Sequence, residues 1–188
     1  MTADWPVELS ALTEAVIATR GPDGRWQLAA LGLEPGSPVT ARTWGRTRTR
    51  RNLERAGGGI VQFTRDPVDF VEAAIGEPDA AEPVLDSAAA WAEVEAERLG
   101  TGTDAGTEWA DWALRPVEAA VLSEAVPTVE RGFNAVVEAT VDASRLGVAG
   151  YDEAALRERL ARHRAVVERC GGERDRRAMA RLDELLGG

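Results

Sequence analysis

Lysine is absent from this chain of 188 residues: all 22 basic residues are arginine. Against 32 acidic residues they leave a formal net charge of −10. Generic affinity for nucleic acid or for an anionic membrane needs a basic surface, and this balance excludes it. One cysteine excludes an internal disulfide and a cysteine-based zinc site, and one histidine excludes a multi-histidine metal site. No stretch approaches the roughly 20 apolar residues of a membrane span. Residues 1–10 contain Asp4 and Glu8 and no basic residue, so the charged start of a signal peptide is missing. The expectation is a soluble, cytoplasmic protein with no nucleic-acid and no membrane partner.

Familiar catalytic frames are missing too. Ser10, Ser37, Ser87, Ser123 and Ser144 stand in no G-x-S-x-G frame, so a hydrolase elbow is excluded. There is neither a P-loop nor a G-x-G-x-x-G fingerprint. His163 stands among charges on a predicted helix and reads as an exposed helical residue. Cys170, beside Gly171 at a helix end, reads as small-residue packing. The arginine-for-lysine bias suits either a GC-rich genome or a protein dissolved in concentrated salt. The excess of acids favours salt adaptation.

What is present falls into three stretches. Up to about Ile75 the signals are strands and tight turns. Residues 12–19 are rich in β-branched types, 21–24 (Gly-Pro-Asp-Gly) form a turn, and 25–30 return as the second strand of a hairpin. Another turn at 35–38 leads to a strand at 39–44. A short helix starts near Thr49 and stops at Gly57-Gly58-Gly59. A strand follows at 60–64, and Asp66-Pro67 opens a helix through Phe70, Val71 and Ala74. The middle is acidic: a loop at 77–83, a helix from Asp86-Ser87 to about Leu99 with Trp91 in its core face, a flexible turn at 100–106, and one or two strands over 109–121. On this reading the acidic pairs Glu93/Glu97 and Glu95/Arg98 are solvated helix faces. From Glu130 the chain is helical. Phe133, Val136, Val137, Thr140 and Val141 trace one face of a first helix. Asp152 caps a second, and Gly171-Gly172 separates it from a last one.

The densest chemical candidate is Thr-Trp-Gly-Arg-Thr-Arg-Thr-Arg-Arg-Asn, residues 43–52. It follows a strand and enters a helix. Free N–H groups at a helix start, threonine hydroxyls and arginine forks together make a phosphate cradle. Arg46, Arg48, Arg50 and Arg51 form a positive spot in an acidic chain. The equal alternative is a solvated, arginine-rich helix paired with nearby carboxylates. Six tryptophans stand against one tyrosine, and Trp44, next to the cluster, is the best placed to line a site. Trp109, Trp112 and Leu114 read either as an exposed interface patch or as barrel filling.

Several segments carry a resemblance: Ala29-Ala30-Leu31-Gly32, Val39 to Trp44, Thr49-Arg50-Arg51-Asn52-Leu53, Gly59 to Asp66, and the Asn134 to Leu146 run ending Ser-Arg-Leu. In this order they resemble the archaeal domain-of-unknown-function family 447, which is similar to flavin-reductase-like, FMN-binding split-barrel proteins. Thr49, Asn52 and Leu53 match the T-x-x-N-[LI] segment of those proteins. Ala29-Ala30-Leu31-Gly32 departs from their usual Ala-Pro-Met-Gly. The acidic, lysine-free character resembles members from salt-loving archaea.

The resemblance implies an α+β fold, a split β-barrel over residues 1–128 with C-terminal helices over 129–188 packed on it. It also implies a homodimer holding FMN non-covalently near the subunit interface. By position, Thr47, Thr49 and Asn52 would lie at the phosphate and ribityl end, with Arg48 as a charge partner. Gly32, Thr43 and Trp44 would lie near the flavin ring or its ribityl chain, and Arg145 is a further cofactor-binding candidate. Three readings stay open: an FMN-dependent oxidoreductase using a nicotinamide or other donor, a non-enzymatic FMN-binding or storage module, and a helical interaction protein with a vestigial barrel.

Overall fold

The computed structural model describes residues 3–126 and 128–187. The fold is α+β. Its residues divide into two compact units, one made of the chain up to Thr64 together with Pro78–Glu124, the other of Arg65–Glu77 together with the chain from Ala125 onward.

The first unit is a split β-barrel. Strands β1 (Thr13–Arg20), β2 (Trp26–Glu34), β3 (Val39–Trp44), β4 (Gly58–Thr64), β6 (Ala88–Asp104) and β7 (Thr107–Val121) pair in the order β1-β4-β6-β7-β3-β2, and β2 pairs back onto β1, which closes the sheet. All these pairings are antiparallel. A two-residue strand, β5 (Asp79–Ala80), adds to β2 outside the ring. The first hairpin turns at the Gly-Pro-Asp-Gly signal, where the Gly21 N–H donates to the Arg25 carbonyl at 2.7 Å. Alternate side chains enter the barrel, among them Ile17, Leu33, Val61, Val94, Trp112 and Leu114.

Helix α1 (Arg48–Ala56) leaves β3 and sends one large apolar side chain, Leu53, into the barrel core. Thr47 caps its start and Gly57 its end, the latter at φ 72°, the left-handed conformation that glycine adopts without strain. The next two glycines are needed for another reason. They lie in β4, where a Cβ on Gly58 would stand 2.2 Å from the Val94 carbonyl oxygen and one on Gly59 2.6 Å from that of Ala18. The Gly-Gly-Gly run is therefore a helix stop followed by a close strand approach.

Two expectations for the middle of the chain are overturned. The helix expected over 86–99 is strand β6. Ala88, Ala90, Ala92 and Val94 are buried while Ala89, Trp91, Glu93 and Glu95 are not, which is a period of two. Alanine and glutamate are good helix formers, but intrinsic propensity is a small term, and pairing with β4 on one side and β7 on the other overrides it. Of the supposed helix-face residues, Glu97 accepts across the strands from Arg115 of β7 at 2.7 Å, and Arg98 donates to Glu54 of α1 at 3.1 Å. The flexible turn expected over 100–106 shrinks to Ala105-Gly106, both at positive φ (45° and 86°), as a tight two-residue hairpin connection requires. Trp112 and Leu114 are core residues, 2% and 1% exposed, so the interface-patch alternative fails for both.

The second unit is helical. Asp66 caps α2 (Pro67–Val71), which continues into a π-helical turn, Glu72–Gly76. Then come α3 (Arg131–Ala143), α4 (Glu153–Cys170), capped by Asp152, and α5 (Glu173–Gly187). Its core joins Val71, Val136, Ala139, Leu160, Met179 and Leu182. The buried face of α3 is rotated from the one expected. Gly132, Ala135, Val136, Ala139, Thr140 and Ala143 are inside, while Phe133, Val137 and Val141 are only half-buried. Small residues let neighbouring elements approach closely: a Cβ on Gly132 would fall 2.6 Å from the Gly171 Cα. Cys170 is exposed rather than packed. No helix among the described residues is long and apolar enough to cross a membrane.

Candidate functional site

The start of α1 gathers most of the residues singled out in the sequence. Thr43 and Trp44 end β3, Gly45 turns at φ 71°, and Thr47, Arg48, Thr49 and Asn52 lie at the cap and in the first turns of the helix. The Thr47 Oγ1 accepts from the Arg50 N–H at 3.3 Å, and the first helical N–H to reach a carbonyl four residues back is that of Arg51, bonded to Thr47 O at 3.2 Å. The Arg48 and Thr49 N–H groups thus precede the helical ladder, at the positive end of its dipole.

Thr49 and Asn52 face the barrel and are only 5% and 4% exposed. The Thr49 hydroxyl donates to Gln27 Oε1 at 3.3 Å. The Asn52 Nδ2 donates to Thr19 Oγ1 at 3.1 Å, and the Thr19 hydroxyl donates in turn to Gln27 Oε1 at 3.3 Å. Asn52 Oδ1 accepts from Arg55 Nη2 at 3.0 Å. Both residues hold the helix to the β1–β2 hairpin. Thr19 and Gln27 were missed in the sequence. They are cross-strand partners at the turn end of that hairpin, and both are completely buried. Counting outward from the Gly-Pro-Asp-Gly turn would have paired them.

The arginine cluster is largely compensated. Arg46 makes a two-pronged bond to Glu108 at 3.0 and 3.2 Å. Arg50 reaches Glu54 at 3.3 Å and Glu108 at 3.4 Å, Arg48 pairs with Asp79, and Arg51 donates to the Arg46 carbonyl at 2.6 Å. The hydrogen bond from Arg46 holds the Glu108 carboxyl below its ordinary range. The geometry shows an arginine-rich helix paired with carboxylates, one of the two alternatives.

Trp44 is 46% exposed. It pairs across the ladder with Trp109, and the Arg42 guanidinium lies over both rings, 5.5 and 4.3 Å from their centroids. Arg42 is fixed by a two-pronged bond to Asp111 at 2.6 and 2.8 Å, which lowers the Asp111 pKa. Thr43 points inward, where its Oγ1 accepts from the Trp112 indole N–H at 3.0 Å. Gly32 lies in the β1–β2 ladder opposite Glu14. Arg145 belongs to the helical unit, over the Tyr151 ring at 5.3 Å. Thr43, Trp44, Thr47, Arg48, Thr49 and Asn52 are therefore gathered at the β3–α1 connection, Gly32 stands in β2 next to Leu33, the β3-paired partner of Ala41, and Arg145 belongs to the helical unit.

Residues 13–123 match the model of the protein of unknown function DUF447, N-terminal domain, and residues 130–184 match that of the protein of unknown function DUF447. The chain belongs to the DUF447 family. Its structure is similar to the crystal structure of an FMN-bound DUF447 protein from Methanosarcina mazei, with 26% identity, 93% of this chain and 95% of that chain covered, and a TM-score of 0.79. It also resembles the flavin reductase of styrene monooxygenase from Pseudomonas putida S12 (16% identity, 64% and 95% covered, TM-score 0.46). A third likeness is to an FMN-binding protein from Thermus thermophilus (16% identity, 65% and 79% covered, TM-score 0.41). No curated protein matches the chain.

The α1 corner of this DUF447 chain can be tested against an FMN phosphate. Two N–H groups precede the helical ladder, the Thr47 hydroxyl hydrogen is available because its oxygen serves as the acceptor of the cap, and Arg48 is half-exposed beside them. This donor set suits a phosphate, and Trp44 offers an exposed planar face next to it.

Proposed function

We propose that this DUF447 chain binds FMN non-covalently, with the phosphate at the N-terminus of α1. The observation that carries the reading is the likeness, over 93% of the chain, to the FMN-bound family member. The Arg48 and Thr49 N–H groups and the Thr47 hydroxyl would hold the phosphate, with Arg48 turning from Asp79 to add charge. Thr49 and Asn52 contribute by holding the helix, and Thr43 by holding Trp112 in the barrel core. Trp44 would flank the ring system. Gly32 and Arg145 complete the proposed cofactor-binding set.

Bound FMN would supply hydride- or electron-transfer chemistry, for which the protein need provide only binding and orientation. We extend the reading to an oxidoreductase that draws on a nicotinamide donor, in a salt-adapted cytoplasm. We extend it also to a homodimer, whose interface would cover exposed apolar side chains of the barrel unit such as Leu12, Trp44 and Leu99. The visible spectrum of the purified protein tests the cofactor: flavin bands released by denaturation as FMN support it, and a colourless protein that takes up no added FMN refutes it. NAD(P)H consumption separates turnover from the alternative of an FMN-holding module, and light scattering in high salt tests the dimer.

A further inference from the structure

Gln27 is a glutamine with no exposed surface at all, on a strand whose neighbouring inward residues are apolar. Its amide is held one way round. Nε2 donates to the Leu28 carbonyl at 3.0 Å, which leaves Oε1 as a pure acceptor. That oxygen takes two hydroxyl donors, Thr19 from β1 and Thr49 from α1, each at 3.3 Å. Asn52, three residues further along α1, donates to the same Thr19 hydroxyl at 3.1 Å. That carbonyl oxygen therefore ties Thr49 of the helix directly to the hairpin and orients the Thr19 hydroxyl to which Asn52 donates. Without it, two buried hydroxyls lose their acceptor, and the helix start must shift to satisfy them.

We propose that Gln27 is a positioning residue for the phosphate-binding end of the site, acting through Thr49 to fix the direction in which the Arg48 and Thr49 N–H groups point. The proposal rests on the FMN reading above. An anion at a helix start depends on the aim of those N–H groups, whereas a flavin without a phosphate does not. Gln27 thus sets the preference for FMN over riboflavin from a position that touches neither.

The test titrates the full-length apo-protein with FMN and with riboflavin, read by flavin fluorescence quenching, for the wild type, Gln27→Met, Thr49→Val and Thr49→Ser. Losing the acceptor or its donor should weaken FMN binding about tenfold and leave riboflavin binding within about twofold. Thr49→Ser keeps the hydroxyl and should keep the FMN preference. If Gln27→Met does not fold, the Thr49→Val and Thr49→Ser pair decides alone. Equal weakening for both flavins, or an unchanged FMN preference in Gln27→Met and Thr49→Val, overturns the positioning role. A wild type that binds riboflavin as tightly as FMN overturns the phosphate-site reading itself, and this proposal with it.

Discussion

Replacing Asp79 by asparagine should tighten FMN binding. Asp79 pairs with Arg48, and the two side chains are 38% and 41% exposed. A pair so open to solvent is worth roughly 0–1 kcal/mol. Arg48 must leave it to meet a phosphate, so that stabilisation opposes binding. The remaining carboxylate then also repels the phosphate dianion. Removing Asp79 eliminates both costs, and a gain of about 0.4–1.4 kcal/mol corresponds to about two- to tenfold tighter binding. Arg48→Ala should act in the opposite direction and more strongly, because a charge-assisted hydrogen bond contributes about 1.5–3 kcal/mol. Both effects should shrink in about 1 M salt, where the screening length is about 3 Å. Fluorescence titration with FMN at low and high salt measures them, with riboflavin as the control. The reasoning is refuted if Asp79→Asn weakens FMN binding, or if riboflavin tightens by the same factor.

Four further outcomes follow from the barrel and its charge. Trp112→Ala should cost about 3–5 kcal/mol in a denaturant melt, and Thr43→Val about 1–3 kcal/mol, because the latter leaves the buried indole N–H without its acceptor at 3.0 Å; wild-type stability in Thr43→Val would contradict that pairing. The pKa values of Asp111 and Glu108 are lowered in the folded chain by hydrogen bonds from Arg42 and Arg46 respectively. Their stabilisation is therefore complete above the ordinary carboxylate range of about 4 and is lost as the pH falls through the lower folded values, so Asp111→Asn should flatten the acid limb of the Tm profile; an unchanged limb would remove Asp111 as a contributor. With a net charge of −10, the Tm should rise between about 0.01 M and about 1 M salt as the screening length falls from about 30 to about 3 Å; a flat Tm would leave genome composition as the reason for the missing lysines.

Local signals that agreed with their surroundings were legible in the sequence. The Gly-Pro-Asp-Gly turn, the Asp66-Pro67 and Asp152 caps and the Gly57 stop each encode a backbone geometry, and each stands where it was expected. β6 was not legible as a strand because its inward residues are mostly alanine, too small to make the period of two stand out against a helix-favouring composition. The face of α3 was misjudged for a related reason: Ala135, Ala139 and Gly132 carry less hydrophobic weight than Phe133 or Val137, yet close packing selects them. Residues 43–52 were legible as a strand end and helix start rich in hydrogen-bond donors. Their division of labour did not show, because Gln27, Thr19 and Asp79 come from strands distant in sequence.

The most direct test of the central claim is the affinity of the refolded or flavin-stripped apo-protein for FMN relative to riboflavin. A phosphate held by the start of α1 predicts that FMN binds at least about tenfold more tightly, since a charge-assisted contact of about 1.5–3 kcal/mol is available only to FMN. Equal affinities would contradict a phosphate site at α1.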